Sequence, residues 1–69
     1  MKSHQMRAFR ARHGYSQAKL ATIIGHGPLG VRNIVRYENN HVEIPAPVAR
    51  ILAAMDRDPL VKLTFESLA

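Results

Sequence analysis

The chain has 69 residues, of which 46% are hydrophobic, and it carries no cysteine and a formal net charge of +5. This length corresponds to one domain (residues 1–69) near the lower limit for burying a core, and the hydrophobic content argues against a disordered basic tail. The missing cysteines exclude disulfides and thiolate metal sites and suit a reducing cytoplasm, while a polar start and short apolar runs exclude a signal peptide and a membrane span.

The first half of the chain predicts two short helices. Ser3 can cap a first helix that ends near His13. Ser16 is a strong N-cap for a second helix over about residues 17–24. Glycines at 25 and 27 then break the second helix.

A third helix is predicted from about residue 28 to residue 39. Pro28 is favoured at its first position, since that position needs no backbone N–H donor. A start at Gly30, after a longer loop, is the alternative. The residues expected to face the core follow helical spacing and are Val31, Ile34 and Val35 or Tyr37.

The last third of the chain predicts two more helices, over about residues 47–68, that complete the core. Residues 41–47 form a loop, because the residue before each proline avoids helix. The pair Asp58-Pro59 indicates the start of the fifth helix. No segment alternates like a strand. The expected fold class is all-α, a compact bundle of about five short helices that contains a helix-turn-helix.

The charged residues are divided unevenly along the chain. Residues 1–37 contain seven Lys or Arg and no acid, whereas residues 38–69 contain three bases and five acids. The net charge therefore divides as +7 and −2. A helix-turn-helix in a purely cationic half points to a polyanion, of which double-stranded DNA is the usual one.

The third helix is the candidate for reading bases. Arginine offers a two-pronged donor to guanine, and asparagine pairs in the same way with adenine. A solvated helix face is the alternative reading of these side chains. The predicted base contacts are Leu29, Arg32, Asn33 and Arg36.

The start of the second helix is the candidate for holding phosphate. Lys19 stands at the third helical position, where a capping box expects Glu or Gln and the helix dipole favours an anion. A docked phosphate would explain the choice, and a solvated surface lysine is the alternative. The predicted phosphate contacts are Ser16, Gln17, Lys19, Arg10, Arg12 and Asn40.

No catalytic residue, metal, cofactor or small-molecule ligand is expected. The four histidines (4, 13, 26 and 41) lack the spacing of a zinc site, and no acidic cluster joins them. Ser16 has no nearby base, so its capping position explains it better than nucleophilic catalysis. The glycines at 25, 27 and 30 follow no strand and precede no Lys-Ser/Thr pair, which argues against a nucleotide loop.

The run FRARHGYSQAKLATIIG resembles the start of the phage repressor/Cro (XRE-type) helix-turn-helix family. The matching residues are Phe9-Arg10, Gly14, Ser16-Gln17, Leu20-Ala21 and Gly25. The resemblance covers roughly residues 6–55. It implies that Gln17 binds backbone phosphate and that the four predicted base contacts face bases and flanking phosphates.

Two departures from the family pattern affect the expected contacts. His26 stands where the family usually buries Val or Ile, and Leu29-Gly30 is a weak choice for the reading positions. Arg32 is therefore expected to supply most of the base recognition.

A narrower similarity is to anti-CRISPR-associated (Aca) repressors, which bind the promoter of a phage anti-CRISPR operon. It consists of the short chain, the Pro-Ala-Pro of residues 45–47 and the ending at residues 66–69. This similarity implies an autorepressor in the cytoplasm of a bacterial or phage-infected cell.

The expected function is that of a dimeric, sequence-specific repressor that binds an inverted repeat in a promoter. An antitoxin-type module that binds a partner protein through its C-terminal helices is the alternative, and an enzyme is not expected. The apolar stripe of the C-terminal helices either forms the homodimer surface or closes the monomer core. Its residues are Ile51, Met55, Leu60, Val61, Phe65 and Leu68.

Overall fold

The computed structural model describes residues 1–25 and 30–68, which form five α-helices. No strand occurs within these two ranges, so the all-α prediction is confirmed. The helices are α1 (Ser3–His13), α2 (Gln17–Ile23), α3 (Gly30–Glu38), α4 (Ala46–Arg57) and α5 (Pro59–Leu68).

The described part of α3 begins at Gly30. The predicted start at Pro28 and the base contact predicted for Leu29 lie outside the described residues, as does His26.

The ends of α1 follow from local hydrogen bonds. Lys2, rather than the predicted Ser3, occupies the N-cap position, and its N–H donates to the side-chain oxygen of Gln5 at 2.7 Å. This bond satisfies the first orphan donor, so the helix begins one residue earlier than predicted. Gly14 ends the helix with a φ of +70°, a left-handed conformation that glycine adopts without strain.

The core lies where α1 to α4 meet. Helix α3 packs against α1 and α2, while α5 packs against α4 and α2. Helix α5 has no fully buried residue and covers one side of the core with half-buried Val61 and Phe65. The largest fully buried side chains are Phe9, Met6, Leu20, Ile34, Leu52 and Met55.

Two predicted burial states are wrong. Val31 was expected in the core, but it is 39% exposed. Gly30 and Ile34 define the buried face of α3, and Val31 lies about 100° away from Gly30 around the helix. Met55 was expected on a pairing surface, but it is 2% exposed and belongs to the monomer core. It lies inside because α5 folds back over α4 and closes that side of the core.

Glu38, at the end of α3, joins the first three helices. It is 4% exposed, and both carboxylate oxygens accept hydrogen bonds from Arg10 of α1, at 2.8 and 3.1 Å. Gln17 of α2 donates to the same carboxylate at 3.2 Å, and Arg7 donates to the Glu38 backbone carbonyl. These donors satisfy a buried charge that would otherwise oppose folding.

Electrostatics around Glu38 favour its ionised form. Burial by itself raises the pKa of the carboxyl, but hydrogen bonds from Arg10 and Gln17 and the charges of Arg10 and Arg7 outweigh it. The pKa of Glu38 therefore lies below its ordinary value. Its contribution to stability is present above the unfolded-state pKa and is lost as the pH falls through the lower folded-state value.

We expect Glu38→Gln to lower the free energy of unfolding at pH 7 by about 3 kcal/mol, because it leaves the Arg10 charge without its partner. The difference from wild type should narrow as the pH falls below 4.5, the ordinary value for this carboxyl. Urea unfolding followed by circular dichroism at several pH values measures both effects. The exposed Glu43→Gln is the matched control, and equal stabilities of Glu38→Gln and wild type at pH 7 would contradict the assignment.

Two further contacts fix the C-terminal helices onto the rest. Asp56 of α4 accepts from Arg12 at 2.5 Å and pairs with His13 at 2.8 Å. The hydroxyl of Tyr15, in the connection between α1 and α2, donates a hydrogen bond to Glu66 of α5 at 2.6 Å.

The described helices are all too short or too polar to cross a membrane.

Candidate nucleic-acid interface

The exposed face of α3 is cationic. Ile34 and Tyr37 anchor the opposite face in the core, which turns Arg32 and Arg36 outward. The two arginines are one helical turn apart, and neither has a hydrogen bond or ion pair with another described residue. Two neighbouring like charges repel each other, and an anion bound between them would relieve that repulsion.

Asn33 lies at the edge of this face. It is half-buried, since it is about 100° around the helix from Arg32. The structure thus brings Arg32 and Arg36 together at the centre of the exposed face and sets Asn33 to one side.

The N-terminal end of α2 is exposed and carries no acid in its first turn. The Ser16 hydroxyl accepts from the Lys19 backbone N–H at 3.0 Å, which confirms Ser16 as the N-cap. The Lys19 side chain is exposed and has no partner among residues 1–25 and 30–68. Gln17 is half-buried and donates to Glu38, so its backbone is held at this helix end.

The arginines of α1 have partners inside the molecule. Arg10 forms the ion pair with Glu38, and Arg12 pairs with Asp56. The Glu38 hydrogen bond, above all, raises the pKa of Arg10. Arg10 is held by a buried carboxylate, whereas the Arg12–Asp56 pair is exposed and leaves 55% of the Arg12 side chain in solvent. This geometry gives Arg10 a structural role in joining α1 to α3.

Asn40 marks the end of α3. It adopts a left-handed φ of +59°, which asparagine tolerates better than most residues. Its N–H donates to the Tyr37 carbonyl at 3.2 Å, and that of His41 donates to the Arg36 carbonyl at 3.0 Å. The turn leaves the Asn40 side chain exposed beside the last turn of the cationic helix.

A family model described as helix-turn-helix matches residues 6–55 of the chain. The chain belongs to the helix-turn-helix family. The matched range agrees with the extent of the XRE-type resemblance in the sequence, so that family prediction is confirmed. No curated protein and no solved structure gives a significant match.

Membership identifies this helix-turn-helix protein as a DNA-binding transcription regulator. Within the described residues, no group of three or more His, Cys, Asp or Glu is arranged to hold a metal ion.

Glu38 positions the candidate interface, a role that was not predicted from the sequence. The signal was its spacing from Gly30, Ile34 and Tyr37, which puts it on the buried face of α3. An acid on a buried stripe needs a cation, and α1 carries three arginines. Sequence spacing does not show which of its arginines would reach the carboxylate.

We expect Lys19→Glu to raise the free energy of unfolding by about 0.5 kcal/mol. The substitution completes a capping box with Ser16 and places a negative charge at the positive end of the helix dipole. Thermal unfolding followed by circular dichroism measures the change, with Lys19→Gln separating the side-chain cap from the charge. A lower stability than wild type would contradict the assignment of Lys19 to an uncompensated helix end.

Proposed function

We propose that this protein is a dimeric, sequence-specific repressor that binds an inverted repeat in a promoter, and that it acts in the cytoplasm. The observation that carries this proposal is the pair of unpartnered arginines, Arg32 and Arg36, on the exposed face of α3. An α-helix fits the major groove of B-DNA, where guanine presents two acceptors that match an arginine fork.

In the proposed complex, α3 lies in the major groove. Arg32 and Arg36 pair with guanines, and Asn33 reaches an adenine or a flanking phosphate from the edge of the helix. The family resemblance adds Leu29 to these base contacts.

Phosphate contacts on either side of α3 position it in the groove. Ser16 and Gln17 bring their backbone to the positive end of the α2 dipole, and Lys19 adds an exposed ammonium group. Asn40 offers its amide at the other end of α3. Arg10 is left out of this set because the buried Glu38 already pairs with it, whereas the exposed Arg12 stays in the set as a predicted phosphate contact.

We expect Arg32→Ala to weaken binding to the selected operator by about ten- to a hundredfold while leaving binding to random DNA nearly unchanged. A good arginine–guanine pair contributes about 1–3 kcal/mol of discrimination. The operator is first obtained by selection from random duplexes, and affinities are then measured by gel shift. Arg57→Ala, which removes an exposed arginine at the end of α4, is the control. Equal effects of the two variants on specific binding would contradict the assignment of α3.

We expect Lys19→Glu to weaken specific and random binding alike, because a phosphate contact positions the protein without reading sequence. The neutral Lys19→Gln should lower the log–log salt slope of binding by about one unit. The glutamate variant therefore gains stability and loses affinity at the same time. A loss confined to one base position of the operator would argue against a phosphate contact.

The proposed dimer surface is the outer face of α5. Leu60, Leu63 and Leu68 are 73%, 59% and 77% exposed, whereas Val61 and Phe65 pack on the core. Leu60 and Leu63 are one turn apart, so they share a face. Leu63 was not part of the predicted stripe. In the proposed dimer surface it takes the place of Val61 and Phe65, which face the core. A two-fold pairing through this face would double the DNA site and give half-site centres about 34 Å apart.

We expect Leu63→Asp to give a folded monomer with weakened operator binding, because the residue is exposed in the single chain. Phe65→Asp, by contrast, should unfold the domain, since Phe65 packs against the core. Light scattering gives the mass and circular dichroism gives the folded state. A wild-type mass of one chain at micromolar concentration, free and on DNA, would end the dimer proposal.

The regulated promoter is proposed from sequence similarity. The likeness to Aca repressors suggests the promoter of an anti-CRISPR operon that includes the protein's own gene. A reporter behind that promoter should be silenced by wild type and released by Arg32→Ala. Retained silencing by Arg32→Ala, or capture of a neighbouring gene product through the α5 leucines, would instead support the antitoxin-type alternative.

A further inference from the structure

Val31 is an exposed apolar side chain on the cationic face of the molecule. Among the described residues, the other exposed large apolar side chains are Met1 and three leucines of α5. Val31 is 39% exposed and follows directly on the buried Gly30 at the start of α3. A single exposed valine is common on protein surfaces, so exposure by itself indicates no function.

The position of Val31 makes the exposure informative. A β-branched residue is a poorer helix former than Ala, Lys or Glu, so local helix stability does not account for a valine at an exposed site. Its side chain does not contribute to the core either, since Ile34 and Tyr37 fill that face of α3. Neither local stability nor packing in the monomer explains this residue.

Val31 continues a row along the helix. Val35 lies one turn further on and is half-buried, while Arg32 and Arg36 form the adjacent row. The outward part of α3 therefore carries an apolar row beside a cationic row, about 100° apart around the axis. The major groove offers partners for both rows, because thymine presents its C5-methyl group there and guanine presents its O6 and N7 acceptors.

We infer that Val31 reads the C5-methyl group of a thymine in the base pair beside the guanine contacted by Arg32. This inference rests on the proposed function and adds to it the identity of one recognised base. The operator half-site would combine a guanine for the cationic row with a neighbouring thymine for the apolar row.

The test replaces each thymine of the selected operator, one at a time, with deoxyuridine, which lacks only the C5-methyl group. Wild type should bind about three- to fivefold more weakly when one particular thymine of a half-site is replaced, as expected for one buried methyl group. Val31→Ala should bind the thymine duplex more weakly than wild type and should respond less to deoxyuridine at that position, because alanine keeps only part of the apolar contact.

A second modified base checks that the arginine contacts are intact. Replacing the neighbouring guanine with 7-deazaguanine, which lacks the N7 acceptor, should weaken wild type and Val31→Ala by equal factors. Circular dichroism should show Val31→Ala folded, since the substitution is exposed and favours helix.

The inference is overturned by an operator without thymine at that position, by a wild type indifferent to deoxyuridine everywhere, or by a Val31→Ala that keeps the wild-type response. A wild type that enriches no duplex would overturn the proposed function itself. The two failures are thus distinguishable.

Discussion

The carboxylate of Glu38 is almost completely withdrawn from water, yet it stays ionised because donors from two other helices surround it. Arg10 of α1 and Gln17 of α2 bond the carboxylate, and Arg7 of α1 bonds the adjacent backbone carbonyl. Burying a charge is unfavourable unless its partners are in place, so the contact forms only when all three helices take their native positions. The last turn of α3 is thereby fixed relative to α1 and α2. The outward direction of Arg32 and Arg36 depends on this placement.

The same ion pair changes how the positive charge of the chain should be understood. The cationic half of the sequence contains seven bases, but they do not all present charge to the surroundings. Arg10 is paired with a buried carboxylate and Arg12 with an exposed one, while Lys19, Arg32 and Arg36 have no partner among the described residues. These last three cations lie on α2 and α3, which form the helix-turn-helix. The charge of Arg10 thus contributes to folding, and the charge on α2 and α3 is left for an external anion.

The C-terminal helix is attached by a second, smaller set of contacts around Tyr15. Burial and then the hydrogen bond to Glu66 raise the pKa of its hydroxyl, so Tyr15 stays protonated and keeps donating. The ring of Tyr15 also stacks on His13, whose imidazole pairs with Asp56 of α4. Because Tyr15 directly precedes the N-cap Ser16, these contacts connect α5 to the start of α2. The exposed leucines of α5 and the N-terminal end of α2 are therefore parts of one packed unit.

The sequence by itself determined the elements whose causes are local. Helix starts and stops at Ser16 and Gly14 follow from capping and from glycine's left-handed conformation, and helical spacing identified Ile34 as core. The separation of bases from acids indicated a polyanion before any fold was known. The family resemblance covered the same residues that the family model matches.

Contacts between residues that are distant in sequence depended on the tertiary structure. Glu38 and Arg10 are 28 residues apart, and no local pattern shows that they pair. Val31 is exposed and Met55 is buried because the rotation of α3 and the return of α5 over α4 are set by packing between helices. Periodicity gives the width of an apolar stripe, but neighbouring helices determine which edge of that stripe is covered. The chain therefore specifies its helices through short-range chemistry, while the surface that those helices present depends on long-range contacts.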